Sequence, residues 1–323
     1  MDSHLLSERL ATRTRGRAGA LALIRPELTT LAHHNCSPGD DFEIGSISKG
    51  VTGLLYHVGV ERGEVNPTSR LDELLPLSGC PAGAIMLADL ATHRSGLPRV
   101  IGTQLWRRTL DHYRHGTNPY PEGLDDLFDA ARTARLRPGR PAYSNAGFQL
   151  LGHALAAAAG VPYADLVRAR IAEPLGLSPF SVPASAAELS PSAVTGHAGR
   201  RQVDPWLGAG IGPAGGIRAS VEAMAGLARA LLTRTAPGVA ALDPVTDFAG
   251  PAVRIGAGWL TTDRRDRGQL SWHNGGTGGF RSWLGLRRDE GLAVVVLGAS
   301  SRSLDALGLA LLDELAQQGP SAH

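Results

Sequence analysis

The sequence predicts an α+β fold in which one sheet is assembled from both ends of the chain, with a helical insertion between. Three observations carry this. Strand-like apolar segments fall before residue 35 and return after residue 254, helical periodicities fill most of the interval, and no internal repeat divides the 323 residues. A hydrophobic share of 43% against 19% charged suits a chain that buries a sizeable core and excludes general disorder. The expected organisation is a discontinuous sheet domain over residues 1–70 and 215–323, and a mostly helical domain over residues 71–214.

The elements follow in order. Leu5, Leu6 and Leu10 line a helix begun by Asp2 or Ser3. Residues 18–24 read as a buried strand and residues 29–34 as its partner, with Pro26 in the turn. Residues 46–62 form the clearest helix, because Val51, Leu54, Leu55 and Val58 repeat at i, i+3, i+4 and i+7 and Gly63 can end it. Gly50, Gly53 and Gly59 lie inside that helix. Each weakens it by about 1 kcal/mol relative to alanine, which points to close packing against a neighbour. Residues 86–93, 124–134, 146–159 and 163–171 are helical, separated by Gly/Pro punctuation. Residues 220–232 make a helix with Met224, Leu227 and Leu231 on one face. Strands then fall at 255–260, 270–273, 280–286 and 292–297, with a hairpin turn at 289–291, and an amphipathic helix over 304–315 follows.

Composition narrows the function. A net charge of +2 argues against a dedicated nucleic-acid binder. No apolar run is long enough for a membrane span; the best, residues 146–159, is short and contains Gln149 and His153, so no membrane partner is expected. The first residues lack the apolar core and small-residue cleavage site of a secretion signal, so a cytoplasmic location is expected. Cys36 and Cys80 have no metal-ligand spacing and are expected as reduced thiols. Gly210, Gly212 and Gly215 match a dinucleotide fingerprint, but Pro213 interrupts them and no βαβ context surrounds them.

Of 32 basic side chains, 31 are arginine and one, Lys49, is lysine. A guanidinium stays protonated, whereas burial or nearby positive charge lowers an ammonium's pKa. A sole lysine is therefore a candidate for work arginine cannot do. Lys49 stands three residues after Ser46 at the start of the periodic helix, so both share one face. A serine needs a base to become a nucleophile, and a helix N-terminus favours developing negative charge there. Tyr143-Ser144-Asn145 directly precedes the 146–159 helix. There Tyr143 can present its phenol to a cleft, where an adjacent ammonium favours the ionised form, and Asn145 can cap the helix or donate to a ligand. After the short strand 270–273 come His273, Asn274, Gly275, Gly276, Thr277, Gly278 and Gly279, a run that exposes backbone N–H groups beside a bound chain.

Together these pieces resemble the serine β-lactamase and penicillin-binding-protein superfamily, specifically its class C-like serine hydrolases, with S-x-x-K followed by Y-x-N and H-x-G variants of the second and third motifs. Residues 87–98 (LADLATHRSGLP), 173–177 (EPLGL), 213–217 (PAGGI) and 291–297 (GLAVVVL) add to the likeness. The resemblance implies a β-lactamase/transpeptidase-like antiparallel sheet flanked by terminal helices, with the site in the cleft between the two domains. It implies Ser46 as acylated nucleophile, Lys49 and Tyr143 sharing proton traffic, and an oxyanion hole from the N–H groups of Ser46 and Gly276. Asn145 is to contact a substrate amide or hold Lys49, His273 to line the cleft beside Tyr143, and Asn274 and Gly275 to bind substrate. No cofactor or metal is implied. The expected function is a hydrolase acting on an ester or amide bond of a small-molecule acyl substrate. Transfer to an amine acceptor is the alternative, followed by β-lactamase, D-aminopeptidase and silent ligand-sensor roles; the oligomeric state stays open. Because His273 stands where relatives carry a lysine, neutral acyl substrates are expected to outperform penicillins.

Overall fold

Asp2 opens helix α1 (Ser3–Thr14) by accepting the His4 N–H at 3.0 Å. Leu6 and Leu10 of α1 are buried, while Leu5, expected on the same face, points to solvent, one residue off the stripe. This computed structural model describes residues 2–102, 105–120, 123–137, 139–265 and 267–318. The other helices are α2 (Ile47–Glu61), α3 (Leu71–Leu74), α4 (Leu87–Ala91), α5 (Leu105–His115), α6 (Asp125–Arg132), α7 (Asn145–Ala159), α8 (Tyr163–Val167), α9 (Gly212–Gly215), α10 (Val221–Leu232) and α11 (Asp305–Gln317). The early strands are β1 (Gly19–Ile24), β2 (Thr29–His34), β3 (Asp41–Glu43), β4 (Phe180–Ser181), β5 (His197–Ala198), β6 (Arg201–Gln202) and β7 (Arg218–Ser220). The late ones are β8 (Thr246–Asp247), β9 (Val253–Ile255), β10 (Leu260–Arg264), β11 (Gly268–Gly276), β12 (Arg281–Arg287) and β13 (Leu292–Gly298).

One antiparallel sheet runs β2-β1-β13-β12-β11-β10-β9-β8, so the first and last long strands are neighbours, Gly19 opposite Gly298. Its centre is covered on both faces, which is why β1 and β13 are continuous apolar runs. On one face Leu21, Leu23, Val294 and Val296 pack with Leu6, Leu10, Leu311 and Leu312 of the terminal helices. The alternate residues Ala20, Ala22, Val295 and Leu297 join the larger core that includes α2, α7 and α10. A smaller sheet, β3-β7-β4, ties the segment before α2 to the middle of the chain. Its register is fixed by a buried ion cluster in which Arg218 donates to Asp41 at 2.6 Å and to Glu43 at 3.3 Å.

Two expectations need correction. The strand read at residues 255–260 is interrupted: β9 stops at Ile255, β10 starts at Leu260, and a turn closed by Gly256 N to Trp259 O (2.9 Å) fills the gap. This turn passes beneath α2 so closely that a Cβ on Gly53 would lie 1.8 Å from Ala257 O, and one on Gly50 would lie 2.5 Å from the Trp259 ring. The helical glycines therefore do mark close packing, as their positions predicted. The second correction is length. β11 continues through Asn274, Gly275 and Gly276, which pair with Trp283, Ser282 and Arg281.

Candidate active site

Ser46 lies where β3 turns into α2. Gly45 before it takes φ +53, and a Cβ there would meet Gly276 N at 2.6 Å, so glycine is what lets the Ser46 turn touch the end of β11. Gly275 approaches as closely, against Ile44 O and Ser282 Oγ, and Ser282 Oγ donates to Ile44 O at 2.7 Å. The Ser46 side chain makes no capping bond to its own helix. Its hydroxyl instead meets Lys49, whose Nζ is 3.1 Å away.

Lys49 is fully buried. Its amine donates to the Ala214 carbonyl at 2.5 Å, and Pro213 O accepts from Thr52 one turn along α2 at 2.7 Å. The short helix α9 thus holds the lysine in place. Burial, then the positive charge of Arg99, push the Lys49 pKa well below its ordinary value of 10.5.

Tyr143 closes the other side, with Lys49 Nζ 4.9 Å from its ring centroid. Burial pushes its pKa up to about 12, opposed by a hydrogen bond from Ser46 and by Arg99. Burial of Tyr143 therefore works against the ionised phenol that the sequence suggested, and burial of Lys49 works against the ammonium beside it. His93 positions this tyrosine, although sequence reasoning passed over it. In a left-handed conformation (φ +57), it accepts Ala142 N with its carbonyl at 2.9 Å and Ser144 N with Nδ1 at 3.1 Å, and its ring centroid is 4.6 Å from that of Tyr143.

The helix after Tyr143 is capped by Ser144, not Asn145, since Ser144 Oγ accepts Gly147 N at 2.9 Å. Asn145 is the first helical residue; its Nδ2 donates to the Tyr120 hydroxyl at 3.3 Å, and its buried Oδ1 has no partner among the described residues. Lys49 is held by Ala214 rather than by Asn145. His273 also differs from expectation. Its ring is 6.4 Å from that of Tyr143, but it is 2% exposed and lies behind the cavity wall, where burial and the Lys49 charge push its pKa down to about 3. Asn274, Gly275 and Gly276, which follow it in β11, line an open cavity of about 690 Å³ together with Ser46 and Tyr143. Arg99, Arg201 and Arg281 also line it, against one carboxylate, Asp305, which accepts from Asn274 Nδ2 at 3.1 Å.

These features define the class by its fold, the β-lactamase fold. The fold is shared with the class C β-lactamase of Rhodobacter sphaeroides (TM-score 0.80, 22% identity) and the β-lactamase/D-alanine carboxypeptidase of Pseudomonas syringae (TM-score 0.83, 16% identity), each over 98% of both chains. The chain belongs to the β-lactamase family, whose model matches residues 7–317. A penicillin-binding protein of Bacillus subtilis is 29% identical over 138 residues, 42% of this chain and 29% of that protein. The D-alanyl-D-alanine-carboxypeptidase/endopeptidase AmpH of Escherichia coli is 29% identical over 161 residues, 48% of this chain and 37% of that protein. The matches thus span about a third of the length of these curated relatives.

Proposed function

We propose that this chain forms an acyl-enzyme on Ser46 and hydrolyses an ester or amide bond of a small molecule. The observation that carries the reading is the buried Lys49 amine 3.1 Å from Ser46 Oγ, with a lowered pKa and its own N–H committed to Ala214. Lys49 takes the Ser46 proton as Oγ attacks the acyl carbon, and the N–H groups of Ser46 and Gly276 receive the developing oxyanion. Tyr143, a neutral phenol, hands a proton to the leaving group and is reprotonated from Lys49. Water then attacks the acyl carbon, returning its proton by the same route. The three guanidiniums around the cavity outweigh Asp305, so substrates with an anionic group are favoured, which replaces the expectation of neutral ones. Transfer to an amine shares the first half of this sequence, and the open cavity leaves room for such an acceptor.

A serine-directed phosphonylating probe tests the assignment. The intact mass should rise by one adduct that peptide mapping places on Ser46, and Ser46→Ala should take up none. A label on Ser48 or Ser144 sinks the reading. Product partitioning of an activated ester with increasing amine separates water from amine: free acid should dominate at low millimolar amine.

A further inference from the structure

Helix α5 (LWRRTLDHYRH) stands at the mouth of the cleft, where His112 and Tyr113 reach the cavity wall and a Cβ on Gly278 would lie 2.8 Å from the His112 ring. Among the described residues eight large apolar side chains are exposed, and three share this helix: Trp106 at 75%, Leu110 at 39% and Tyr113 at 75%. Spaced i, i+4 and i+7, they fall within an arc of roughly 60° on the helix surface. Scattered exposed apolar residues are ordinary, but two aromatic residues and a leucine in one stripe mark an interaction surface.

Charge decides what the surface fits. Arg107 and Arg114, both exposed, flank the stripe, and no ion pair ties either among the described residues. The β5–β6 hairpin adds Arg201, which donates to the carbonyls of Arg114 (2.6 Å) and Tyr113 (3.2 Å), with exposed Arg200 beside it. Two copies meeting about a two-fold axis would set these basic faces against each other. We propose that α5 is an interfacial helix that seats the mouth of the cleft on an anionic lipid surface. Its low overall hydrophobicity, sharply segregated faces, arginine-rich flank and Trp/Leu/Tyr stripe are the pattern of helices that lie in the plane of a bilayer interface. Trp106 and Tyr113 suit the headgroup level. No single described helix is long and apolar enough to cross a membrane, and lying on one requires no span. The absence of a membrane partner expected from the sequence is thereby revised for the surface alone. Where the proposed Ser46 chemistry holds, an amphiphilic ester in that surface meets the cleft directly.

The experiment is flotation with phosphatidylcholine vesicles, with and without phosphatidylglycerol, using the wild type and Ser46→Ala. Both proteins should float with the phosphatidylglycerol vesicles, lose binding as salt rises, and ignore pure phosphatidylcholine. Trp106→Ser/Leu110→Ser should lose at least about tenfold in partitioning while keeping its Ser46 labelling rate without vesicles. Arg107→Gln/Arg114→Gln should lose about tenfold to thirtyfold, mostly at low salt. Trp106→Phe should still bind but lose much of the blue shift in tryptophan emission. Failure of the wild type to float, or flotation untouched by the paired substitutions, overturns the proposal. So does concentration-dependent self-association that Trp106→Ser/Leu110→Ser abolishes without any vesicle binding, which would make the stripe a contact between copies. Because Ser46→Ala is floated in parallel, a failure of the acyl-enzyme reading leaves this result standing, and the reverse.

Discussion

At the scale of single residues, the proposed mechanism depends on taking charge away from Lys49. Arginine in its place keeps a positive charge and loses the lone pair, so Lys49→Arg should be severely impaired in acylation although Ser46 remains. Tyr143→Phe removes the phenolic proton and should reduce kcat/KM by about tenfold to a hundredfold. If the two move one proton together, the double variant should be little worse than the poorer single one, and fully multiplicative losses would count against a shared role. The pH profile checks the same point. Acylation needs the neutral amine, so kcat/KM should rise with pH through an ionisation well below 10.5 and level off above it. A profile still climbing at the ordinary lysine value contradicts a buried base.

At the scale of elements, α2 carries Lys49 only as accurately as it is pressed onto the turn after β9. Gly53→Ala should destabilise despite alanine's better helix propensity, because its Cβ would overlap Ala257 O; the loss should be about 1–3 kcal/mol, with a parallel fall in activity. Gly59→Ala is the control. Its Cβ meets Val65 Cγ2 at 3.2 Å and Leu155 Cδ2 at 3.5 Å, side chains that can adjust, so chemical denaturation should find it near wild type. The periodicity of Val51, Leu54, Leu55 and Val58 and the glycines between them made this helix legible in the sequence, and the lone lysine pointed to the Ser46–Lys49 pair that lies 3.1 Å apart. The turn at residues 256–259 was not legible, because a run such as IGAGWL has strand-like composition and only the packing of α2 against it shows the break. Ala214 was hidden for another reason: it acts through a main-chain carbonyl, which every residue carries. His93 acts from a loop with no periodicity to flag it, and His273 was expected on the cavity wall that Asn274, which follows it in β11, lines.

At the scale of the whole molecule, acid should be the weak condition. Burial holds His273 at about 3 and His153 at about 4, and drives His93 well below 6.5, so all three fold as neutral rings. The unfolded chain binds protons near 6.5 that the folded chain refuses, so this stability is present above 6.5 and is lost as pH falls toward those depressed values. Near pH 5 each ring contributes about 1.4 kcal/mol per pH unit. The urea midpoint should fall between pH 7 and pH 5, and His153→Gln should flatten that fall by one ring's share; an unchanged slope would place the sensitivity on the carboxylates instead. The pairing of β1 with β13 has a consequence for biosynthesis. Gly19 waits for Gly298, about 280 residues later, and translation at about 5–20 residues per second makes that delay tens of seconds. Throughout it, the nascent chain holds an apolar strand with one edge open, so its yield in a growing cell is decided by whatever shields that edge on the ribosome before the last strand emerges.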